Sequence, residues 1–146
     1  MRLGDTDSYV DIESRGTVAA NMPRAGDLRL RVTVHGAGFH GVQDEVWVRQ
    51  GAVERFIAEV YAMARGEREE AALGGASARE ITLRFTRPMR THVLLEGKVK
   101  RVGPGSPATI SAWIAFAVYV PADALAELAD TLSEAWISSP PSKHAH

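Results

Sequence analysis

The stretch that most constrains the fold covers residues 79–136, where three apolar–polar alternations lead into an amphipathic helix. Apolar residues occupy every second position in 81–85, which is the period of a strand with one buried face. Segments 92–100 and 109–120 repeat the pattern, with proline and glycine turn signals between the segments. Residues 121–136 place leucine and alanine at helical spacing. We therefore expect three consecutive strands covered by a helix.

The first half of the chain has a similar pattern. Alternation predicts strands over residues 8–14, 27–35 and 42–50. An amphipathic helix follows, for which Gly51 can serve as N-cap and Gly66 as the stop signal.

These elements predict an α+β fold in the order β-β-β-α-β-β-β-α, with a mainly antiparallel six-stranded sheet and two helices packed on one face. The sequence leaves the strand order open, and with it the question of whether the sheet closes. Residues 8–137 are expected to form one domain. Polar composition predicts flexible termini over 1–7 and 138–146, and we expect a flexible crossover over 67–78.

Composition excludes several classes of protein. A chain of 146 residues with a net charge of -1 has no global bias toward nucleic acid, so we do not expect a nucleic-acid partner. Cysteine is absent, which excludes disulfides, thiolate metal sites and cysteine nucleophiles. The N-terminus has no apolar signal segment, and the longest apolar run is too short to cross a membrane. We expect a cytoplasmic protein that does not contact membranes.

Histidines are the usual candidates for metal binding and proton transfer. His35 and His40 flank a glycine-rich loop, where Asp44 or Glu45 could join them. However, the chain contains no H-x-H, H-x-x-x-H or H-E-x-x-H spacing, and surface histidines explain the pattern more simply. We predict no metal site and no cofactor.

Two further patterns also fail to predict catalysis. Glu80 and Glu96 could approach each other on neighbouring strands, but basic residues share those faces and cross-strand ion pairs account for them. Residues 36–41 match G-x-G-x-x-G, yet a strand follows them where a dinucleotide site needs a helix. We therefore predict no catalytic residue and no enzyme activity.

The polar strand faces carry more basic than acidic residues. If the strands are adjacent, their basic residues would form one surface that attracts an acidic protein. However, acidic residues on the same faces weaken the positive potential. An ordinary solvated face remains the simpler interpretation. Trp47 and Trp113 lie opposite the main apolar stripes, and the sequence does not decide whether they are core or exposed. Trp136 is expected to pack in the core or at its edge.

A resemblance to a known family lies in residues 44–48 (Asp-Glu-Val-Trp-Val), the helix after them, the strand at 81–85 and Leu94-Leu-Glu96. In these segments the chain resembles the bacterial immunity proteins of the WapI type, and related uncharacterised bacterial domains. Gly38-Phe39 would be the turn of that pattern, and residues 112–132 its closing unit. The resemblance implies a non-catalytic protein that binds and neutralises a cognate toxin.

The sequence thus favours an immunity-type binding protein. The alternatives are a small-molecule binder or uncharacterised enzyme with a pocket between sheet and helices, and a homodimer that uses the face of Trp47 and Trp113. The residues we expect at the partner surface are Arg31, His35, Phe39, His40, Arg84, His92, Lys98 and Lys100.

Overall fold

A computed structural model describes residues 1–36, 38–74, 81–101 and 112–137. These ranges contain eight strands and two α-helices. The strands are β1 (Arg2–Gly4), β2 (Tyr9–Thr17), β3 (Leu28–Gly36), β4 (Phe39–Val48), β5 (Glu70–Gly74), β6 (Ile81–Thr86), β7 (His92–Arg101) and β8 (Ala112–Pro121). The helices are α1 (Gln50–Ala64) and α2 (Leu125–Leu132), the latter between a 3₁₀ turn (Ala122–Ala124) and a π-helical turn (Ser133–Ile137).

The strands form two antiparallel four-stranded sheets, β1-β2-β3-β4 and β5-β6-β7-β8, which we call the first and second sheets. The α+β class is confirmed, but the single six-stranded sheet is wrong. Each predicted run of three strands gains one short strand at its N-terminal side, and a helix follows each completed sheet. The two halves of the chain therefore have the same order of elements.

The two additional strands come from segments that the sequence predicted to be irregular. In β1, Leu3 is buried, and the N-terminal amine donates a hydrogen bond to the Ile12 carbonyl at 2.9 Å. In β5, Ala71 and Leu73 are buried and pair with Phe85 and Leu83 of β6. One or two apolar residues in so short a strand are too few to produce a visible alternation.

Both sheets and both helices contribute to one hydrophobic core. At its centre, the Phe56 ring of α1 stacks on Phe85 of the second sheet, with ring centroids 5.9 Å apart. On the other side, Phe56 approaches the Trp136 ring at 6.4 Å. Trp136 is 2% exposed, which confirms its predicted place in the core. Helix α1 thus joins the two halves of the molecule through aromatic contacts.

Glycine positions decide two of the chain reversals. Gly66 ends α1 with a positive φ of 76°, as predicted, and its N–H donates to the Met63 carbonyl. Gly38 also has a positive φ, 72°, in the turn from β3 to β4. The prediction that Gly51 caps α1 was wrong, since the N-cap is Arg49. A strand, β4, follows the glycine loop, as predicted.

Several predictions fall outside the described residues: the turn at 103–105, the carboxylate of Glu80, and the tail at 138–146. Among the helices that are described, none is both long enough and apolar enough to cross a bilayer.

Candidate functional site

The outer face of the second sheet is open and carries a defined pattern of side chains. Inward-facing residues of β6 and β7 are buried, whereas their outward-facing neighbours are exposed. The register aligns Arg84 with Glu96 and Thr82 with Lys98, so charged residues occupy the two central strands. Alanine and glycine flank them on β5 and β8, at Ala72, Gly74, Ala115 and Ala117. Long charged side chains therefore stand beside shallow, weakly polar strips.

This arrangement creates a groove of about 800 Å³, which we call the charged groove. Arg55 of α1 lies at its margin, and Arg84, Glu96 and Lys98 line it from the sheet. Its lining thus has three positive side chains and one carboxylate.

Arg84 is oriented by a second acid beside the groove. Its guanidinium donates a hydrogen bond to the carboxylate of Glu70, a residue of β5. This hydrogen bond, together with the positive charge, lowers the pKa of Glu70 and raises the pKa of Arg84. The pair is exposed, so water screens it and Arg84 can exchange Glu70 for another carboxylate.

A second groove lies where the two sheets meet. Strands β1 and β8 lie next to each other without pairing, and a space of about 660 Å³ opens between β8 and the β1–β2 turn. We call it the seam groove. Its lining includes Tyr9 and His35 from the first sheet and His92 and Tyr119 from the second.

Aromatic contacts order both walls of the seam groove. Tyr9 stacks on His35 with centroids 5.1 Å apart, and Arg2 lies 4.0 Å above the Tyr9 ring. On the opposite wall, His92 meets Tyr119 edge to face at 6.5 Å. Tyr119 is 57% exposed, the largest value among the exposed large hydrophobic side chains of the described residues.

The two grooves share Ala115, Phe116 and Ala117 of β8. They are therefore continuous across this strand, and together we call them the concave surface. No protein-family model, curated protein or solved structure matches the chain.

Four of the eight residues expected at a partner surface line the concave surface: His35, Arg84, His92 and Lys98. His40 lies beside it, opposite His35 in the β3–β4 register, with their Nδ1 atoms 3.4 Å apart. The side chains of Phe39 and Lys100 lie outside the described residues.

Arg31 does not join this set. It lies on the polar face of β3 in the first sheet, opposite Glu13. Arg29 and Arg31 belong to a different sheet from Arg84 and Lys98, so the strands that carry these basic residues do not form one continuous sheet. Trp47 is half-buried on the first sheet, with the Arg29 guanidinium 6.0 Å from its ring, whereas the Trp113 side chain lies outside the described residues.

The structure adds Tyr9, Arg55, Ala115 and Ala117 to the site. The alanines were not among the residues expected at the site, because a small side chain shapes a groove only when larger side chains surround it. Arg55 could not be connected with the second sheet before the position of α1 was known. Among the described residues, no three histidine, aspartate or glutamate side chains group as metal ligands would.

A separate cavity lies between the first sheet and the helices. It holds about 120 Å³ and is bordered by Leu28, Val53 and Trp136, with the polar Thr17, Gln50 and Glu54. Pockets for metabolite-sized ligands typically measure about 300–1,000 Å³. This cavity is therefore too small for the sheet–helix ligand site that the sequence left open as an alternative.

Proposed function

We propose that this chain is a non-catalytic, cytoplasmic binding protein that neutralises a cognate bacterial toxin by docking on the concave surface. The observation that supports the proposal best is the open charged groove on an uncovered sheet face. Broad, accessible surfaces with arginine and tyrosine suit a protein partner, whereas catalysis requires groups enclosed around a reacting atom.

The charge of the groove favours a partner with an acidic surface. Arg55, Arg84 and Lys98 are exposed and stand around small residues. A partner carboxylate can reach these cations without displacing a bulky neighbour, and Arg84 can receive it in place of Glu70. Charge complementarity of this type mainly raises the rate of association and excludes wrong partners.

One observation favours the small-molecule alternative. The seam groove, at about 660 Å³, has a volume typical of ligand sites and aromatic walls. We rank this alternative second because the groove is continuous with the charged groove across β8.

The proposal is tested by affinity capture from lysate of the source organism, with three forms of the protein as bait. The first is the wild type. The second is Arg55→Glu/Lys98→Glu, which reverses two groove charges. The third is Arg15→Glu/Arg24→Glu, which makes the same change of charge at exposed positions of the first half.

We expect the wild type and the Arg15→Glu/Arg24→Glu control to retain one stoichiometric protein that the groove variant loses. Expression of that protein alone should stop bacterial growth, and co-expression of the wild type, but not the groove variant, should restore it. Equal retention by all three baits, or a retained protein without toxicity, would contradict the proposal.

A further inference from the structure

Strand β8 is the edge of the second sheet, and its hydrogen-bonding direction can be derived from the ladder. The Ala122 N–H, just beyond β8, donates to the Thr91 carbonyl at 2.9 Å, just before β7. Partners that exchange backbone bonds recur every second residue in an antiparallel pair. Val118 and Val120 therefore bond to β7, whereas Ala117 and Tyr119 direct their N–H and C=O groups away from it.

The opposite edge of the same sheet confirms this alternation independently. The Ala72 N–H of β5 points away from β6 and donates to the Glu59 carboxylate at 3.1 Å. Through the register, Ala72 aligns with Arg84, then with Glu96, and then with Ala117. The backbone N–H and C=O of Ala117 must therefore also point away from the sheet, at its opposite edge. Pro121 fits the same alternation. At this position the backbone N–H would point away from β7, so a proline, which has no N–H, costs the sheet no hydrogen bond.

The β5 and β8 edges of the second sheet differ in whether their free N–H groups find a partner. Glu59 of α1 covers the edge of β5, which is a common way to prevent unwanted strand pairing. Within the described residues, nothing accepts a hydrogen bond from the outward N–H groups of Ala115, Ala117 and Tyr119. Strand β8 also has no charged residue along its ten positions. An uncharged edge whose N–H groups have no partner among the described residues is a template for another strand.

The seam groove follows this edge. Its lining includes every residue of 115–119, from both faces of the strand, so the groove runs along the edge itself. Five residues of extended chain span about 17 Å. The alanine side chains at 115 and 117 leave room above the edge, and Tyr9 and His35 form a far wall.

We propose that the edge of β8 from Ala115 to Tyr119 docks an extended segment of the protein partner, which adds to the second sheet as a further strand. Backbone hydrogen bonds would supply the affinity, and the aromatic walls of the seam groove would select the side chains of the segment. This inference rests on the proposed function, because it names how the same partner is held.

The test uses a phage-displayed library of random linear dodecapeptides as probe, panned against the full-length protein. Ala117→Pro removes one outward N–H while leaving the bonds to β7 intact, as Pro121 does. Ala117→Val is the matched control, since it adds a side chain but keeps the N–H. Thermal unfolding verifies that both variants are folded.

We expect selected peptides to bind the wild type, to bind Ala117→Val within about threefold, and to bind Ala117→Pro about tenfold or more weakly. Amide exchange at Ala117 and Tyr119 should slow on peptide addition, a readout that does not depend on any substitution. Failure to enrich peptides, equal binding to both variants, or protection confined to other strands would overturn the proposal. Peptide binding without capture of a toxin would instead refute the proposed function and leave the strand-docking site in place.

Discussion

Two exposed hydrogen-bonded pairs connect separate elements of this chain, and both shift a pKa in a direction that can be measured. Arg84 with Glu70 joins β6 to β5 at the charged groove. Tyr61 with Asp130 joins α1 to α2, with 2.5 Å between the tyrosine hydroxyl and the carboxylate. At the residue scale, these pairs show how side chains in one element are oriented by another.

The first prediction concerns Glu70. Its pKa is lowered chiefly by the hydrogen bond from Arg84. The ionised carboxylate therefore stabilises the folded protein at pH values above the unfolded-state pKa of Glu70. This stabilisation disappears as the pH falls through the folded-state pKa. Arg84→Gln should return the Glu70 pKa toward its ordinary range. Carbon-detected NMR titration of the carboxyl measures this directly. An unchanged Glu70 pKa in the variant would refute the pairing in solution.

The second prediction concerns Tyr61, whose pKa is raised mainly because its hydroxyl donates a hydrogen bond to Asp130. A raised pKa gives stability that is fully present below the unfolded-state pKa of about 10 and is lost as pH rises through the folded value. Tyr61→Phe should therefore lower the thermal midpoint at pH 7. The difference from wild type should shrink above about pH 10. A difference that persists at high pH would argue against this hydrogen bond as its cause.

At the scale of elements, the edge of β5 depends on α1. The Ala72 N–H is satisfied by Glu59, which also lies 3.9 Å from Arg68. We predict that Glu59→Ala lowers the free energy of unfolding by about 1 kcal/mol, because an edge amide loses its partner. Glu59→Gln should lose less, since its amide oxygen still accepts.

Chemical denaturation measures these free energies, and amide exchange at Ala72 gives a local readout. Exchange at Ala72 should accelerate in Glu59→Ala and much less in Glu59→Gln. Identical exchange in all three proteins would show that Glu59 does not cover this edge.

How far the sequence predicts the elements depends on how many apolar residues each one buries. Strand β3 buries Leu28, Leu30, Val32 and Val34 in strict alternation, and it was placed within one residue. Strand β1 buries only Leu3 and is held by backbone bonds to β2, which leave no mark on residue type. Short strands held by a neighbour therefore remain invisible to pattern analysis.

At the scale of the whole molecule, the two sheets are expected to unfold together. Phe56 of the first half stacks on Phe85 and Trp136 of the second half, and the buried residues form one cluster. We predict a single unfolding transition, with tryptophan fluorescence and far-ultraviolet circular dichroism coinciding. Phe56→Ala should lower the free energy of unfolding by about 3–5 kcal/mol. Two separated transitions in the wild type would show that the halves are independent.

The concave surface forms where the two sheets meet, which explains why the sequence predicted only part of it. Alternation identified Arg84, His92 and Lys98 as outward-facing. It could not tell that Arg31 belongs to another sheet, or that His35 and His92 line the same groove, because pairing between distant strands is not encoded in local period.

The central claim is that a protein partner recognises the positive charges of the concave surface. The measurement that tests it most directly is the association rate of the purified partner with wild type and with Arg55→Glu/Lys98→Glu, over a range of salt concentrations. We predict association about tenfold slower for the variant at low salt, with the difference fading at high salt. The Arg15→Glu/Arg24→Glu control should match the wild type. Equal rates for wild type and groove variant at every salt concentration would contradict the account.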